Sequence, residues 1–366
     1  MPINTKQVPE FDLTYLQNNG LVLRFPTVYI NNQIKDYENH PNMFRVFNEC
    51  HAWGELMHIK NAADLNALVS TGKVEELIRI SETKQSNELL QLAEKIYNNK
   101  DLKIVLLAGP SSSGKTTTSK KLCMFLRSFG VNPAVISMDD YFVEREETPL
   151  NEEGKPDYEC LEAVDLKLFD NQIEQILKGE EVVTPTYNFL TGNKEYNNKI
   201  KLGNSDVLVI EGIHALDKRV LTNISKNKIF RIYISALTEL NIDNHNYIST
   251  TDNRLLRRII RDNKTRGHGV QRTISTWPDV RSGEEKYIFP FQEGADVMFN
   301  SALIYELAVL KMYAEPLLFA IDKDCQEYLE AKRLLKFLDY FLPMPSDGIN
   351  QNSILREFIG GSCFNV

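Results

Sequence analysis

The sequence predicts an α/β fold in which helices cover both faces of a parallel sheet, extended by a helical N-terminal region and a helical C-terminal tail. Short apolar runs of strand length, such as Ile104 to Ala108 and Val207 to Ile210, alternate with longer segments of helical periodicity. This alternation is typical of parallel sheets, whose strands are buried on both faces. A glycine-rich turn joins the first of these strands to a helix.

The elements follow in a regular order after a polar joint at 98–101. Before the joint, apolar residues recur at helical spacing. After it, we predict strands at 103–108, 134–137, 206–210 and 229–234, and helices at 115–129, 165–177, 302–318 and 324–341. Pro343 and Pro345 end the last helix, because proline cannot continue the helical hydrogen bonding.

Composition excludes several classes of protein. The 366 residues include 42 Lys and Arg against 50 Asp and Glu, a net charge of −8 that disfavours general binding to nucleic acid or anionic membranes. The apolar runs are too short to span a bilayer, and the N-terminus lacks the pattern of a signal peptide. The 5 cysteines are scattered without metal-ligand spacing, which predicts reduced thiols and a cytoplasmic protein.

The turn after the first strand matches the phosphate-binding loop G-x-x-x-x-G-K-[ST] at every fixed position. Its glycines allow backbone torsions that a Cβ would forbid, and its N–H groups and the following helix terminus favour phosphate. The lysine can reach the β- and γ-phosphates, and the threonine hydroxyl can ligate Mg²⁺. We therefore predict a P-loop NTPase three-layer sandwich that binds ATP through Gly109, Ser111, Ser112, Ser113, Gly114, Lys115, Thr116 and Thr117.

Acidic residues follow two other predicted strands. Glu211 comes directly after the run DVLVI, at the strand end that faces the ligand crevice, where with Thr116 it could hold Mg²⁺. Asp139 and Asp140 follow the run AVIS, and a carboxylate beside a transferred phosphoryl group can accept the proton of an attacking hydroxyl. The long insertion at 141–205 carries acids and aromatics suited to an acceptor pocket, among them Tyr158, Glu159, Tyr187 and Phe189.

A basic segment follows the last predicted strand of the sheet. Between Arg254 and Arg261, leucines and isoleucines separate the arginines, which predicts an amphipathic helix with one basic face. Three interpretations stay open here: a mobile lid near 252–272 that closes on phosphate charge, a nucleic-acid-binding stripe, and a solvated basic face. The lid is favoured, because the aromatic residues that would stack on a single strand are missing.

The order of these motifs resembles the uridine kinases and the related phosphoribulokinases. The segments that carry the resemblance are GPSSSGKTTT, SMDDYF, DYECLEAVDL, TPTYNF, VLVIEGIHAL and the arginine-rich segment. The stretches WPDVRSGEEKYIFPFQEGADVMFNSALIYELAVLK and PSDGINQNSILREFIGG are similar to a bacterial-type nucleoside kinase subfamily. The resemblance covers residues 100–366 and extends back to about Leu21.

The resemblance implies a role for each matching residue. Asp139 would be the base that accepts the sugar hydroxyl proton, with Lys115, Arg261 and Arg266 on the phosphates. Glu211 would lie on the magnesium side. The substrate would be bound by residues that match the family's ribose and base contacts, namely Glu159, Tyr187, Phe189 and Arg258.

Two positions depart from the uridine kinase pattern. Gly192 stands where those enzymes place a histidine, and His268 stands where they place an arginine. Both family residues face the pyrimidine, and polar contacts of this kind are the ones that reject wrong bases. The parts for phosphoryl transfer therefore match better than the parts for base recognition.

These observations predict an ATP- and Mg²⁺-dependent kinase that phosphorylates the 5′-hydroxyl of a nucleoside, with uridine or cytidine favoured. The alternatives are a phosphoribulokinase-like kinase for a non-nucleoside hydroxyl and a non-catalytic regulatory nucleotide-binding module. We predict a helical region of unknown role at 1–97, a P-loop kinase domain at 98–300, and a helical tail at 301–366 that packs on it. The expected partner is a small-molecule nucleoside, with no membrane or nucleic acid, and a homo-oligomer stays open.

Overall fold

The computed structural model describes residues 10–16, 20–26, 33–34, 36–151, 154–188, 191–267 and 269–365. The chain divides into two compact units, Met1–Pro41 and Asn42–Val366. In the first unit, β1 (Asp12–Leu16) pairs antiparallel with β2 (Gly20–Arg24), with Leu13 opposite Leu23.

The second unit is built on a five-stranded parallel sheet. Its strands lie in the order β4-β7-β3-β8-β9, and two further strands, β5 and β6, form a separate antiparallel hairpin. The strands are β3 (Ile104–Ala108), β4 (Ala134–Ser137), β5 (Val182–Asn188), β6 (Asn193–Ile200), β7 (Leu208–Glu211), β8 (Ile229–Ser235) and β9 (Val297–Asn300). The predicted parallel sheet is therefore confirmed.

Helices precede, connect and follow these strands. They are α1 (Pro41–Leu56), α2 (Ala62–Ser70), α3 (Val74–Asn98), α4 (Lys115–Ser128), α5 (Leu166–Leu177), α6 (Thr250–Thr265), α7 (Val270–Tyr287), α8 (Glu306–Phe319), α9 (Tyr328–Leu338) and α10 (Arg356–Ile359). Within the described ranges, no helix is both long and apolar enough to cross a membrane.

Two apolar cores lie on opposite faces of the sheet, because successive strand residues point to opposite faces. On β3, Val105 and Leu107 join a core shared with α2, α3, α4 and α6 to α10. Ile104 and Leu106 join the other core, shared with α1, α5 and the segment that follows β4. The result is the predicted three-layer sandwich.

The carboxyl ends of three neighbouring strands position the site. β3 ends at Ala108 and runs into the glycine-rich loop. β7 ends at Glu211, and β4 ends at Ser137, which lies opposite Glu211 in the parallel register. Ligands of open parallel sheets bind at this edge.

The predicted strands and helices agree with the structure within a few residues, but some elements were missed. The sequence analysis did not predict the β5–β6 hairpin, whose second strand is largely exposed and polar. It also missed β9 and α7. The boundary at residue 97 stays a prediction, and α3, which precedes it, shares an apolar core with β3 and α4.

Candidate functional site

The loop between β3 and α4 has a backbone that suits its glycines. Gly114 adopts a φ of 81°, in the left-handed region, and Ser112 also has a positive φ of 59°. At Gly109, an added Cβ would lie 2.2 Å from the carbonyl oxygen of Ile234 on β8. A larger residue at either glycine would therefore displace the loop from its neighbouring strand or strain its backbone.

Some of the side-chain hydrogen-bond donors of this loop either bond to the loop's own carbonyl oxygens or lack a partner among the described residues. The Nζ of Lys115 donates to the carbonyl oxygens of Gly109, at 2.8 Å, and Pro110, at 3.1 Å. Burial lowers the pKa of Lys115, opposed by the nearby negative charge of Glu211. The buried hydroxyls of Ser112 and Ser113 have no hydrogen-bond partner among the residues that the structure describes. These donors fit a loop that binds an anionic group.

Glu211 brings a carboxylate to the first turn of α4. Its Oε1 accepts hydrogen bonds from the hydroxyls of Ser137, at 3.0 Å, and Thr116, at 3.4 Å. Burial, together with the charge of Asp139, raises the pKa of Glu211 to about 7. A hydroxyl and a carboxylate are oxygen ligands of the kind that Mg²⁺ binds beside substrate phosphates.

Asp139 and Asp140 point in different directions. They lie in a single turn of 3-10 helix, Met138–Tyr141, in which successive side chains are about 120° apart. Burial raises the pKa of Asp139, and the charges of Lys115 and Arg266 oppose this shift. Asp140 instead accepts the backbone N–H of Tyr187 at 3.2 Å, and burial raises its pKa to about 6.

A second group of side chains includes Glu159, on whose carboxylate the charge of Asp139 acts. Burial raises the pKa of Glu159 to about 7, while the charge of Arg258 opposes the shift. Glu159 packs against α7, where a Cβ on Gly283 would come within 2.5 Å of its own Cβ. Tyr187 is buried, with its ring edge-on to Phe142 at a centroid distance of 5.7 Å.

The structure describes only one of the two positions that depart from the uridine kinase pattern. Phe189 and His268 lie outside the described residues. Gly192 has a φ of 79°, and a Cβ there would lie 2.8 Å from both the Cβ and the Nε of Arg145. The Arg145 side chain therefore packs against Gly192, where a histidine could not fit without moving it.

The arginines of α6 lie on one face of the helix, as predicted, and this face is turned toward the phosphate loop rather than toward solvent. Arg254 and Arg257 are fully buried and point toward the phosphate loop. Arg254 is paired with Glu284 and donates to the carbonyl oxygen of Ser111 at 3.0 Å. Arg257 donates to Glu306 at 2.6 Å and to the carbonyl oxygen of Ser112 at 3.3 Å. These two arginines therefore fix the loop backbone at Ser111 and Ser112.

The remaining arginines converge on Asp262, which is itself buried. Arg258 and Arg261 donate to its carboxylate at 3.2 and 3.1 Å, and Arg266 lies 3.8 Å away. The neighbouring charge of Arg261 lowers the pKa of Arg266 to about 10. Because three arginines surround a single carboxylate, this cluster carries a net positive charge. That charge acts on Asp139 and on Lys115 of the loop.

The Arg257–Glu306 pair gives a stability prediction. We expect Arg257→Met to lower the free energy of unfolding by about 3–5 kcal/mol, because it strands a buried carboxylate. The double variant Arg257→Met, Glu306→Leu should recover part of this loss. Urea unfolding monitored by circular dichroism measures both.

As a control, Arg79→Ala breaks the exposed pair with Glu75 and should change stability by less than about 0.5 kcal/mol. Equal effects of Arg257→Met and Arg79→Ala would contradict the structural role.

The family comparison agrees with this geometry. The model described as "Phosphoribulokinase / Uridine kinase family" matches residues 104–307, more than half of the chain. The chain belongs to this family. The match begins with β3 and ends in the first turn of α8, so it contains the loop, Asp139, Glu211 and the arginines of α6. The family makes the chain a kinase with a P-loop nucleotide-binding fold.

Relatives and solved structures are similar to this kinase over about half of its length. The uridine kinase of Staphylococcus haemolyticus (strain JCSC1435) is 28% identical over 197 residues, which are 53% of this chain and 86% of that protein. A structure titled as a possible uridine kinase from Bacillus stearothermophilus has a TM-score of 0.35 at 23% identity, covering 54% of this chain and 89% of that one. D-glycerate 3-kinase from Cryptococcus neoformans has a TM-score of 0.40 at 14% identity, covering 56% and 89%.

Sequence reasoning missed the acidic residues that organise this kinase's loop. Glu284 accepts both the guanidinium of Arg254 and the backbone N–H of Ser111, the latter at 3.1 Å. Glu357 accepts the backbone N–H and the hydroxyl of Thr117. These partners lie far from the loop in sequence, and a buried carboxylate carries no local signal that distinguishes it from a solvated one.

Proposed function

We propose that this kinase transfers a phosphoryl group from ATP to the 5′-hydroxyl of a nucleoside, with uridine or cytidine as the favoured acceptor. The observation that carries the proposal is the position of Asp139. Its charge acts both on Lys115 of the phosphate loop and on Glu159, so its carboxylate lies near both groups. A base between a phosphate site and an acceptor pocket is what transfer to a hydroxyl requires.

The phosphates of ATP would be bound by the loop from Gly109 to Thr116. The unpartnered hydroxyls of Ser112 and Ser113 and the ammonium of Lys115 are donors available for them. Mg²⁺ would be held by the Thr116 hydroxyl and Glu211, and when bound it would neutralise charge on the phosphates. Thr117 was predicted to bind ATP as well, although its donors are directed to Glu357 in this structure.

The acceptor would lie between Asp139 and α7. Glu159 and Arg258 would bind the ribose hydroxyls, and Tyr187 would pack beside the base, as the family resemblance implies. The raised pKa values of Asp139 and Glu159 are consistent with a pocket that excludes water. The assignment of Phe189 to the same pocket stays a prediction.

One observation favours a different acceptor class. Arg145 packs against Gly192, and its charge acts on the hydroxyl of Tyr187, a residue that the family resemblance assigns to the substrate. A phosphorylated or carboxylated non-nucleoside alcohol would suit such a cation. This places a phosphoribulokinase-like reaction second and a non-catalytic regulatory module third.

An ADP-release assay with MgATP and a panel of acceptors tests the proposal. The panel holds uridine, cytidine, purine nucleosides, sugar phosphates and small hydroxy acids, with a no-acceptor control. Stimulation by pyrimidine nucleosides supports the proposal, and stimulation confined to anionic alcohols favours the alternative. ATP binding without acceptor-dependent ADP release would favour the regulatory module.

Further predictions about the whole chain belong to this proposal. We infer that residues 59–97 and the tail after residue 300 support the kinase domain, because both contribute to the core that contains β3. We also propose a cytoplasmic location, which localisation of a tagged protein would test. Size-exclusion chromatography with light scattering would test the proposed homo-oligomer.

The arginines around Asp262 give a kinetic prediction. We expect Arg261→Ala and Arg266→Ala to lower kcat more than they raise the KM for ATP, because the charge they face grows in the transition state. Steady-state kinetics with varied ATP measures this split. Arg272→Ala is the control, since Arg272 is exposed on α7. Loss of RNA binding with intact kinase rates would instead make this segment a nucleic-acid surface.

A further inference from the structure

The C-terminal part of the chain packs against the phosphate loop and the first turn of α4. We call residues 346–361 the tail segment; it lies beyond the region that the family model matches. Its apolar side chains are no more than 3% exposed and are Ile349, Ile354, Leu355, Phe358 and Ile359. Since a fully buried aliphatic or aromatic side chain contributes roughly 1.5–3 kcal/mol, this segment is a permanent part of the core.

Several polar contacts fix the tail segment in one conformation. Arg356 donates to the carbonyl oxygens of Ser346 and Ile349, each at 2.8 Å, which ties the segment to itself. Lys264 on α6 donates to the carbonyl oxygen of Ile359 at 2.8 Å. Gly360 follows with a φ of 88°, and a Cβ there would overlap the Lys264 side chain.

The tail segment contacts the loop directly at Gly114 and indirectly through Arg257. An added Cβ on Gly114 would lie 2.6 Å from the Cγ2 of Ile354, so this glycine is also needed for close packing. The ring of Phe358 lies under the guanidinium of Arg257 at 4.8 Å, and the same guanidinium donates to the carbonyl oxygen of Ser112. The tail segment therefore borders the loop at Gly114 and contacts the arginine that binds Ser112.

Glu357 makes the contact that bears on function. Its Oε2 accepts the backbone N–H of Thr117 at 3.2 Å and the Thr117 hydroxyl at 2.7 Å. Thr117 is fully buried, and Glu357 is 9% exposed. The N–H groups in the first turn of a helix have no partner within the helix, so this carboxylate satisfies one of them in α4. Its charge also acts on Lys115 and Glu211.

We propose that Glu357 is a positioning residue for the phosphate site, which fixes the first turn of α4 through Thr117. Lys115 and Thr116 directly precede Thr117, so the contact sets the direction in which their side chains leave the helix. The Thr117 donors then serve the fold, and the nucleotide is left with the loop donors from 109 to 116. This inference rests on the proposed function of the loop.

A competing interpretation makes Glu357 an inhibitory group. A carboxylate has the same acceptor chemistry as a phosphate oxygen, so Glu357 could occupy a donor that ATP needs. The packing favours positioning, because Thr117 is closed off by a segment that is itself buried. The two interpretations predict opposite changes in ATP affinity, which makes them separable.

Two substitutions at Glu357 form the core of the test. Glu357→Gln keeps an oxygen that can accept both Thr117 donors but removes the charge. Glu357→Ala removes the acceptor. Asp347→Asn is the matched control, because it removes a charge from an exposed position in the same tail segment. The readouts are the equilibrium Kd for MgATP, kcat and KM, and hydrogen exchange of the 115–119 amides in the protein without nucleotide.

We expect Glu357→Gln to keep Kd, KM and kcat within about threefold of the wild type, as Asp347→Asn does. Glu357→Ala should weaken MgATP binding about tenfold or more and raise the exchange rate of the Thr117 amide, because a buried donor loses its acceptor. Thr117→Val combined with Glu357→Ala should cost less than the sum of the two single changes.

Other outcomes would overturn the inference. Tighter ATP binding in both Glu357 variants would show that the carboxylate competes with the nucleotide. Wild-type affinity and exchange in Glu357→Ala would show that the contact positions nothing. If Glu357→Ala fails to fold, an altered Kd in the folded Glu357→Gln variant still contradicts positioning through the hydrogen bond. Wild-type protein that binds no MgATP would refute the proposed function, whereas the exchange rates would still test the Glu357 contact.

Discussion

Lys115→Ala should abolish acceptor-dependent ADP release and sharply weaken ATP binding. Lys115 is the one cation in the sequence of the loop from 109 to 116, so no neighbour in the loop can replace its charge on the β- and γ-phosphates. Its ammonium is held by the carbonyl oxygens of Gly109 and Pro110, at the strand end where the loop begins. The side chain is therefore already directed across the loop.

The fold should tolerate this substitution, because the partly buried Lys115 ammonium makes no short ion pair with a described residue. Desolvation lowers its pKa, so burial opposes the charge that the substitution removes. We expect the unfolding midpoint of Lys115→Ala to stay near that of the wild type.

ADP release and equilibrium binding of a fluorescent ATP analogue measure the two effects. Arg127→Ala is the matched control, since it removes an exposed cation from the last turn of α4, about 18 Å along the helix from Lys115. Turnover by Lys115→Ala at the wild-type rate would show that the loop does not bind a transferred phosphate.

The loop and the strands that surround it could be predicted because their signals are local. The apolar run of β3, the two glycines and the following helix lie within 25 consecutive residues. The predicted start of one strand was wrong by two residues, because a side chain accepts a backbone hydrogen bond there. Asp206 was predicted to begin a strand, but its carboxylate accepts the N–H of Gly203 at 2.8 Å, and β7 begins at Leu208.

The arginines of α6 show what periodicity cannot predict. The helix and its apolar residues were predicted, but the burial of Arg254 and Arg257 depends on carboxylates 30 and 49 residues further along the chain. A buried arginine is tolerated only with such a partner, and helical spacing carries no information about it. The same holds for Thr117 and Glu357, which are 240 residues apart.

The acidic pair after β4 diverges because of an element that was not predicted from the sequence. In the structure they occupy a 3-10 turn, and the divergence arises because Asp140 is held by the backbone of β5. The hairpin that supplies this contact was not predicted, because its second strand is too polar to show the alternation of a half-buried strand.

Asp139→Asn should lower kcat by at least about 100-fold, whereas Asp140→Asn should lower it much less. The amide keeps the size of the carboxylate and removes the proton acceptor, and a positioned base contributes about 10²–10⁴-fold. ATP binding should survive, because Lys115, Thr116 and Glu211 are unchanged. The Asp140 control removes an equal charge one residue away, from a carboxylate committed to the N–H of Tyr187.

The pH profile of kcat separates a base from a merely electrostatic group. Burial raises the pKa of Asp139, so the wild-type rate should fall as the pH drops through a value above that of an ordinary aspartate. Asp139→Asn should lose the part of this acidic limb that Asp139 contributes, while Asp140→Asn retains the wild-type profile. A larger loss of kcat in Asp140→Asn would move the catalytic role to Asp140. Near-wild-type rates in both variants would remove general-base catalysis by this pair from the mechanism, and transfer would then depend on positioning by the loop and the arginines around Asp262.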